Sequence, residues 1–304
     1  MLASSLVFIA LFIFFCLQAD AFFSVDNMVN IGRSIAPTVV VAVAMTFVIT
    51  TGAIDLSVGS IVGISAACLA IFAQNYGPTI ALILTLSIAL LIGCLNGYLS
   101  SFFNLPSFII TLAALTAVRG LALLITQGYS TAINGGWLLA IGQNKIFGIY
   151  IQTWIAILVI LVGSYFFTQT RFGRYAVAAG SNPEALRRSG VNLKAIQMSV
   201  LVLSGFFAGL AGVLVATRLA SGSSNSGTGF ELEVITAVVL GGTSLMGGRG
   251  SVIGSIFGAL TLGILGNGLV LLHVDVYWVP ISQGIILVIA IFFNNVVAKK
   301  FAGI

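Results

Sequence analysis

The chain has 304 residues, 59% of them hydrophobic and only 6% charged, with a formal net charge of +5. Soluble domains carry about 25% charged residues, so a water-soluble globular fold is excluded. No basic stripe with interleaved aromatics appears, which excludes a nucleic-acid surface. The apolar runs do not alternate, which excludes a β-barrel. An all-α polytopic membrane protein remains.

In chain order the candidate spans are 2–17, 37–50, 56–73, 80–100, 108–126, 151–167, 198–217, 231–245, 252–271 and 279–296, about ten transmembrane helices in a single domain, 1–304. A bilayer core of about 30 Å needs about 20 apolar residues, so 37–50 and 231–245 read as broken, tilted or partly re-entrant. The first run, followed by Ala19-Asp20-Ala21, loosely resembles a secretory leader. No Lys or Arg precedes it, so it reads as a first span.

The basic residues set the orientation. With both termini in the cytosol, Arg171, Arg174, Arg187, Arg188, Lys194, Arg249, Lys299 and Lys300 fall inside, and Arg33, Lys145 and Arg218 outside. Segments 18–36, 127–150 and 220–230 are then the outward loops. The last, ASGSSNSGTGF, reads equally as a flexible mouth of a pathway or a plain linker.

Many glycines lie inside spans. The four-residue spacing of Gly205/Gly209 and Gly254/Gly258 lets membrane helices approach closely, and packing alone accounts for it. Val58-Gly59-Ser60-Ile61-Val62-Gly63 echoes Arg249-Gly250-Ser251-Val252-Ile253-Gly254, each following a glycine-containing break. An internal repeat or chance among Gly-rich segments both explain the echo.

Residues 170–194 break the apolar pattern with a basic arm. Within it Asn182 can cap a helix, Pro183 suits the first helical position, and Glu184 lies in the first turn. Arg187 and Arg188 lie near the end, and Gly190 supplies the stop. The predicted helix runs 183–189, too short to be stable unless packing holds it.

No enzyme constellation emerges. Four Asp, three Glu and the lone His273 are scattered, so no catalytic residue and no metal ligand set is assigned. Cys16, Cys68 and Cys94 lie in apolar runs and read as small fillers. No P-loop is present, and the Gly-rich tract 240–251 reads as a re-entrant break or an inner-face turn.

Asp55 either faces a cavity or caps the following helix through the Ser57 or Val58 N–H, and the surrounding Gly and Ser favour the cap. Arg119, inside a span, can pair with a carboxylate, snorkel, or line a pathway. Glu231 and Glu233 begin a span on the outer side, where they cap and orient it, a pathway role being the lesser reading. Asn96, Asn267, Asn294 and Asn295 fit interhelical hydrogen bonding.

Together, FFSVDNMVNI (22–31), TGAIDLSVGS (51–60), TRFGRYAVAAGSNPEALRRSGVN (170–192), GTGFELEVITAVVLGGTSLMGGRGS (227–251) and the following GSIFGALTLGILGNGL resemble the ribose-type permeases of bacterial ABC sugar importers. The resemblance spans nearly the whole chain in order. It implies a bundle resembling the vitamin B12-type importer fold in the inner membrane, paired as a homo- or heterodimer. It also implies a separate ATPase that binds ATP and Mg, this chain binding no cofactor, and a periplasmic solute-binding protein.

By motif, the resemblance makes Ser181, Asn182, Pro183, Glu184, Ala185, Arg187, Arg188, Ser189 and Gly190 the ATPase-coupling helix, with Gly173 leading into it. Asp55, Ser57, Arg119 and Asn267 are the candidate pathway residues. The solute implied is a monosaccharide such as ribose, with autoinducer-2 or a nucleoside as alternatives. An ion-coupled carrier is disfavoured because Asp55 and Arg119 are too few for a relay. The chain departs from the family in starting almost directly at the first span.

Overall fold

The computed structural model describes residues 2–134, 136–275 and 277–289. Residues 290–296 of the predicted last span, with Asn294 and Asn295, and Lys299 and Lys300 beyond it, lie outside the described residues.

The described chain is helical throughout. The elements are α1 (Leu2–Gln18), α2 (Val25–Thr50), α3 (Val58–Tyr76), α4 (Pro78–Phe102), α5 (Ser107–Thr126), α6 (Trp137–Gln143), α7 (Ile151–Gln169), α8 (Arg171–Ser181), α9 (Pro183–Arg188), α10 (Leu193–Leu219), α11 (Phe230–Leu240), α12 (Val252–Leu271) and α13 (Trp278–Ile289). Seven of them, α2, α3, α4, α5, α7, α10 and α12, are long and apolar enough to cross a membrane. Strand structure among the described residues is confined to two-residue pairs: β1 (Thr131–Ala132) with β4 (Ser221–Gly222), and β2 (Lys145–Ile146) with β3 (Ile149–Tyr150), both antiparallel.

The core is built around α2, which is buried almost without interruption from Ile35 to Thr50. Helices α7, α8, α10, α11 and α12 pack around it, while α3, α4 and α10 form a second tight group with α5 on its edge. Helices α4, α5 and α7 keep broad exposed apolar faces. In a water-soluble protein such faces would be untenable; in lipid they are ordinary.

Two of the sequence expectations shift here. The predicted span 37–50 is the second half of a 26-residue helix that begins at Val25, so most of 18–36 is helix rather than loop. Ser24 starts it, its Oγ accepting from the Asn27 N–H at 3.3 Å. Pro37 is carried inside the helix. The short span near 231 is α11, of 11 residues, ending at Gly241.

The glycine spacing does what close packing requires. A methyl on Gly205 would overlap the Gly93 backbone of α4, and one on Gly258 would overlap the Ala237 carbonyl of α11.

Candidate functional site: the polar arm, the broken helices and a polar cavity

The arm is a helix-turn-helix hung on the end of α7. Thr170 caps α8, its Oγ1 accepting from the Gly173 N–H at 3.5 Å. Gly173 sits so close to the α7 end that any side chain would overlap the Phe167 carbonyl. Ser181 closes α8, and Asn182 then caps α9, its Oδ1 accepting from the Ala185 N–H at 2.9 Å. Pro183 takes the first helical position.

Helix α9 ends at Arg188, with Ser189 donating its N–H to the Ala185 carbonyl and Gly190 at φ 83°. The capping pattern read from the sequence is thus the one found, one residue shorter. Glu184 is held by both arginines, at 2.8 Å from Arg187 Nη2 and 3.2 Å from Arg188 Nε. Those hydrogen bonds hold its carboxyl below the ordinary carboxylate value. The polar face of α9 is exposed, and Leu186 is its one buried side chain. Helix α9 is thus anchored through Leu186 and turns its charged face to the outside.

The arm meets the membrane helices where two of them break. Gly180 lies directly on the Thr50 carbonyl, at the end of α2, and on Gly248 in the turn after α11. The Gly248 N–H donates to the Thr50 carbonyl at 2.8 Å, and Ser181 Oγ donates to the Gly248 carbonyl at 3.3 Å. The tract 240–251 is therefore a turn on the arm side of the bundle.

The two breaks share one geometry. At the end of α2, Gly52 (φ 82°) donates to the Ile49 carbonyl and Ala53 to that of Val48. At the end of α11, Gly242 (φ 90°) donates to Val239 and Thr243 to Val238. Each is a Schellman stop requiring a left-handed residue. Thr46 of α2 and Ser255 of α12 then share a hydrogen bond of 2.7 Å between the two units.

Segment 220–230 is packed against α3 for part of its length. It runs antiparallel along α3, Gly222 lying on Ala66, Ser224 on Gly63 and Gly227 on Gly59. From Gly59 to Ala66 is about 10 Å along a helix, so this stretch, strand at Ser221–Gly222 and then successive turns, follows α3 over that length before α11 starts. Non-helical backbone at membrane depth is tolerated only when protein covers it. Here Arg119 of α5 secures its lower end, donating from Nη2 to the Gly227 carbonyl at 3.2 Å and lying 3.8 Å from Glu231 Oε2.

The four residues expected along a pathway do not converge. Asp55 and Ser57 are fully buried together: Asp55 Oδ1 accepts from the Ser57 N–H at 2.9 Å and from its Oγ at 2.6 Å. Asn96 of α4 donates to Ser57 Oγ at 2.9 Å, and Ser204 of α10 faces the same carboxylate. Arg119 is paired as above. Asn267 of α12 exchanges amide hydrogen bonds of 2.9 Å with Asn27 of α2.

Asn267 also lines a polar cavity of about 510 Å³ on the side away from the arm. Thr38, Arg218, Thr228, Glu233 and Gln283 face the same space. Thr38 donates to Glu233 Oε1 at 2.8 Å, and Arg218 donates to the Ser34 carbonyl at 3.1 Å. Sequence reading missed this grouping. Its one signal was a pair of carboxylates at the start of an unusually short span. Arg33 and Lys145 lie nearby, both over the Tyr150 ring, at 4.4 and 4.9 Å.

Among the described residues no group of His, Cys, Asp or Glu could hold a metal. These features together describe a polytopic membrane protein, with a polar arm on one side and a polar cavity toward the other. The particular family follows from comparison. Residues 27–291 match the family described as branched-chain amino acid transport system / permease component, and the chain belongs to it, as a transport subunit rather than an enzyme.

Among its relatives, the ribose import permease protein of Haemophilus influenzae is 38% identical, covering 92% of this chain and 88% of its own. That of Bacillus subtilis is 36% identical over 88% and 84%. The xylose transport system permease protein of Escherichia coli is 31% identical over 96% and 91%. The resemblance to ribose-type permeases therefore holds. No solved structure matches the chain.

Proposed function

We propose that the chain is the membrane subunit of an ATP-driven importer for a monosaccharide, ribose or a close relative. It works as a dimer with a second permease, an ATPase docked on α9 and a binding protein on the opposite face. The observation that carries the reading is the arm: a doubly capped, charge-clamped α9 whose support, α8, lies directly on two broken helix ends.

We read the seven long helices, together with α1, α13 and the segment 220–230 joined to α11, as ten passes with both termini on the ATPase side. The clustering of Arg33, Lys145 and Arg218 away from the arm supports the same orientation. On ATP binding the two ATPase copies close and carry the docked α9 helices with them, switching the permease between inward- and outward-open states.

The cavity around Thr38, Glu233 and Asn267 suits a hydroxylated solute, because it offers both donors and acceptors with Phe230 beside them. We assign it to the solute's route. Asp55 and Ser57 belong to the packing beneath that route, and Arg119 to the clamp on its lining segment. Ribose over xylose rests on the higher identity to the ribose permeases.

The test is to replace Glu184, Arg187 and Arg188 together with Ala and express the variant with the rest of its operon. ATPase co-purification and ribose uptake should both be lost. Normal uptake without a bound ATPase would refute the importer reading.

A further inference from the structure

Two of the groups lining the polar cavity are charged: Arg218 in the last turn of α10 and Glu233 in the first turn of α11. None of the ion pairs among the described residues includes either of them. Opposite charges left free beside one cavity would close on each other. These two are held by neutral partners instead. Thr38 Oγ1 donates to Glu233 Oε1 at 2.8 Å, and Arg218 Nη1 donates to the Ser34 carbonyl at 3.1 Å. Each bond occupies one atom of its charged group. Glu233 Oε2 and Arg218 Nη2 have no bond to any other described residue. Arg33, the nearest other cation, lies over the Tyr150 ring and outside the lining, so Arg218 alone presents positive charge to this space.

The neutral groups of the lining select little. The Asn267 amide is engaged with that of Asn27. The Thr228 hydroxyl and the Gln283 amide can each turn to donate or accept. A carboxylate only accepts and a guanidinium only donates, so these two groups fix what a solute must present. It needs a donor for Glu233 and an acceptor for Arg218. A pair of hydroxyls supplies both without charge. An anion could reach Arg218 only by facing Glu233, and a cation could reach Glu233 only by facing Arg218.

We propose that Glu233 and Arg218 form a split charge pair that filters solutes within this chain, admitting neutral polyhydroxylated molecules and rejecting their anionic and cationic analogues. This rests on the cavity being the solute's route, and it places part of the importer's selectivity in the membrane subunit itself.

The test is saturation-transfer NMR on the full permease with its ATPase in nanodiscs, without the binding protein, so that the membrane part alone selects. The probes, at equal millimolar concentration, are ribose, ribitol, ribonate, 1-amino-1-deoxyribitol and leucine. Ribitol, ribonate and the amine share one five-carbon frame and differ only at one end. Wild type should give signals for ribose and ribitol, with ribonate and the amine weaker by about tenfold or more, as like charges juxtaposed in one site give. Glu233→Gln should gain ribonate and Arg218→Gln should gain the amine. A gain confined to one analogue cannot come from loss of the fold.

Wild type that binds the charged analogues as well as the neutral ones, or binds neither neutral one, overturns the proposal. So do variants that melt at the wild-type temperature and gain neither analogue. If one variant does not fold, wild type and the other variant decide. Leucine bound as well as ribose would mark a site for zwitterions and also overturn the proposal. Proteoliposomes that import ribose with ATP while the permease fails these tests overturn the filter alone, whereas ribose uptake with no ATPase bound refutes the importer reading beneath it.

Discussion

At the scale of single residues, the informative position is Asp55. A carboxylate buried in a membrane protein is costly unless its hydrogen bonds are met. Asp55 meets them at Oδ1, which accepts from the Ser57 N–H and Oγ, Ser57 in turn accepting from Asn96, while its buried Oδ2 has no partner. The bond from the Ser57 N–H was legible in the spacing Asp55-Leu56-Ser57, but it forms a turn ahead of α3 and not the expected cap, because the helix starts at Val58 with Ser57 at its N-cap. The rest was not, because Asn96 and Ser204 come from helices far along the chain and only the packing of α3 with α4 and α10 brings them there. A carboxamide keeps the acceptor for Ser57 and offers an N–H₂ toward Ser204. Asp55→Ala leaves the Ser57 donors unmet, at about 1–3 kcal/mol for each buried group. Thermal unfolding in detergent should therefore rank wild type and Asp55→Asn close together, with Asp55→Ala well below both. The reverse order would mean that the cluster contributes no stability.

At the scale of elements, long apolar helices were easy to read and broken ones were not. The first three turns of α2 passed for a loop because they carry Asn27, Asn30, Arg33 and Ser34. Those residues are helical because the protein supplies what water would: Asn267 for Asn27, and the Arg218 carbonyl and Tyr150 ring for Arg33. The packing of segment 220–230 was hidden for the same reason, since small polar residues look solvated although Ser224 and Gly227 lie against Gly63 and Gly59 of α3. The echo between the two glycine breaks was visible, but only the matching Schellman geometry at Gly52 and Gly242 gives it structural content. Gly63 tests the buried segment directly. Gly63→Val would drive its side chain into the Ser224 carbonyl, and overpacking of that kind costs about 1–3 kcal/mol or more. Gly120→Val, where no atom lies within 4 Å, serves as the control. Size-exclusion profiles and melting temperatures should show the first variant aggregated or clearly destabilised and the second near wild type. Equal behaviour would mean that 220–230 does not lie against α3.

At the scale of the whole molecule, the proposed function assigns docking and transmission to different residues. Docking belongs to α9, whose polar face is exposed and whose shape is set by Asn182 and by the Glu184 clamp. Transmission belongs to the point where Gly180, Thr50 and Gly248 touch, since there a displacement of α8 must push on the ends of α2 and α11 together. Packed backbones at that distance cannot slide independently, so the arm and the two breaks move as one body or not at all. Separating the two roles is therefore possible. Gly180→Val would wedge the arm away from Thr50 and Gly248 while leaving every exposed residue of α9 in place. In proteoliposomes the ATPase should still co-purify with this variant, whereas ATP-driven uptake should fall by about tenfold, within the 5–150-fold range that coupling between two sites commonly carries. Loss of ATPase binding in step with uptake would instead mean that the glycine contact only holds the dock in shape, and that force reaches the bundle through α7 and α10, the helices between which the arm is strung.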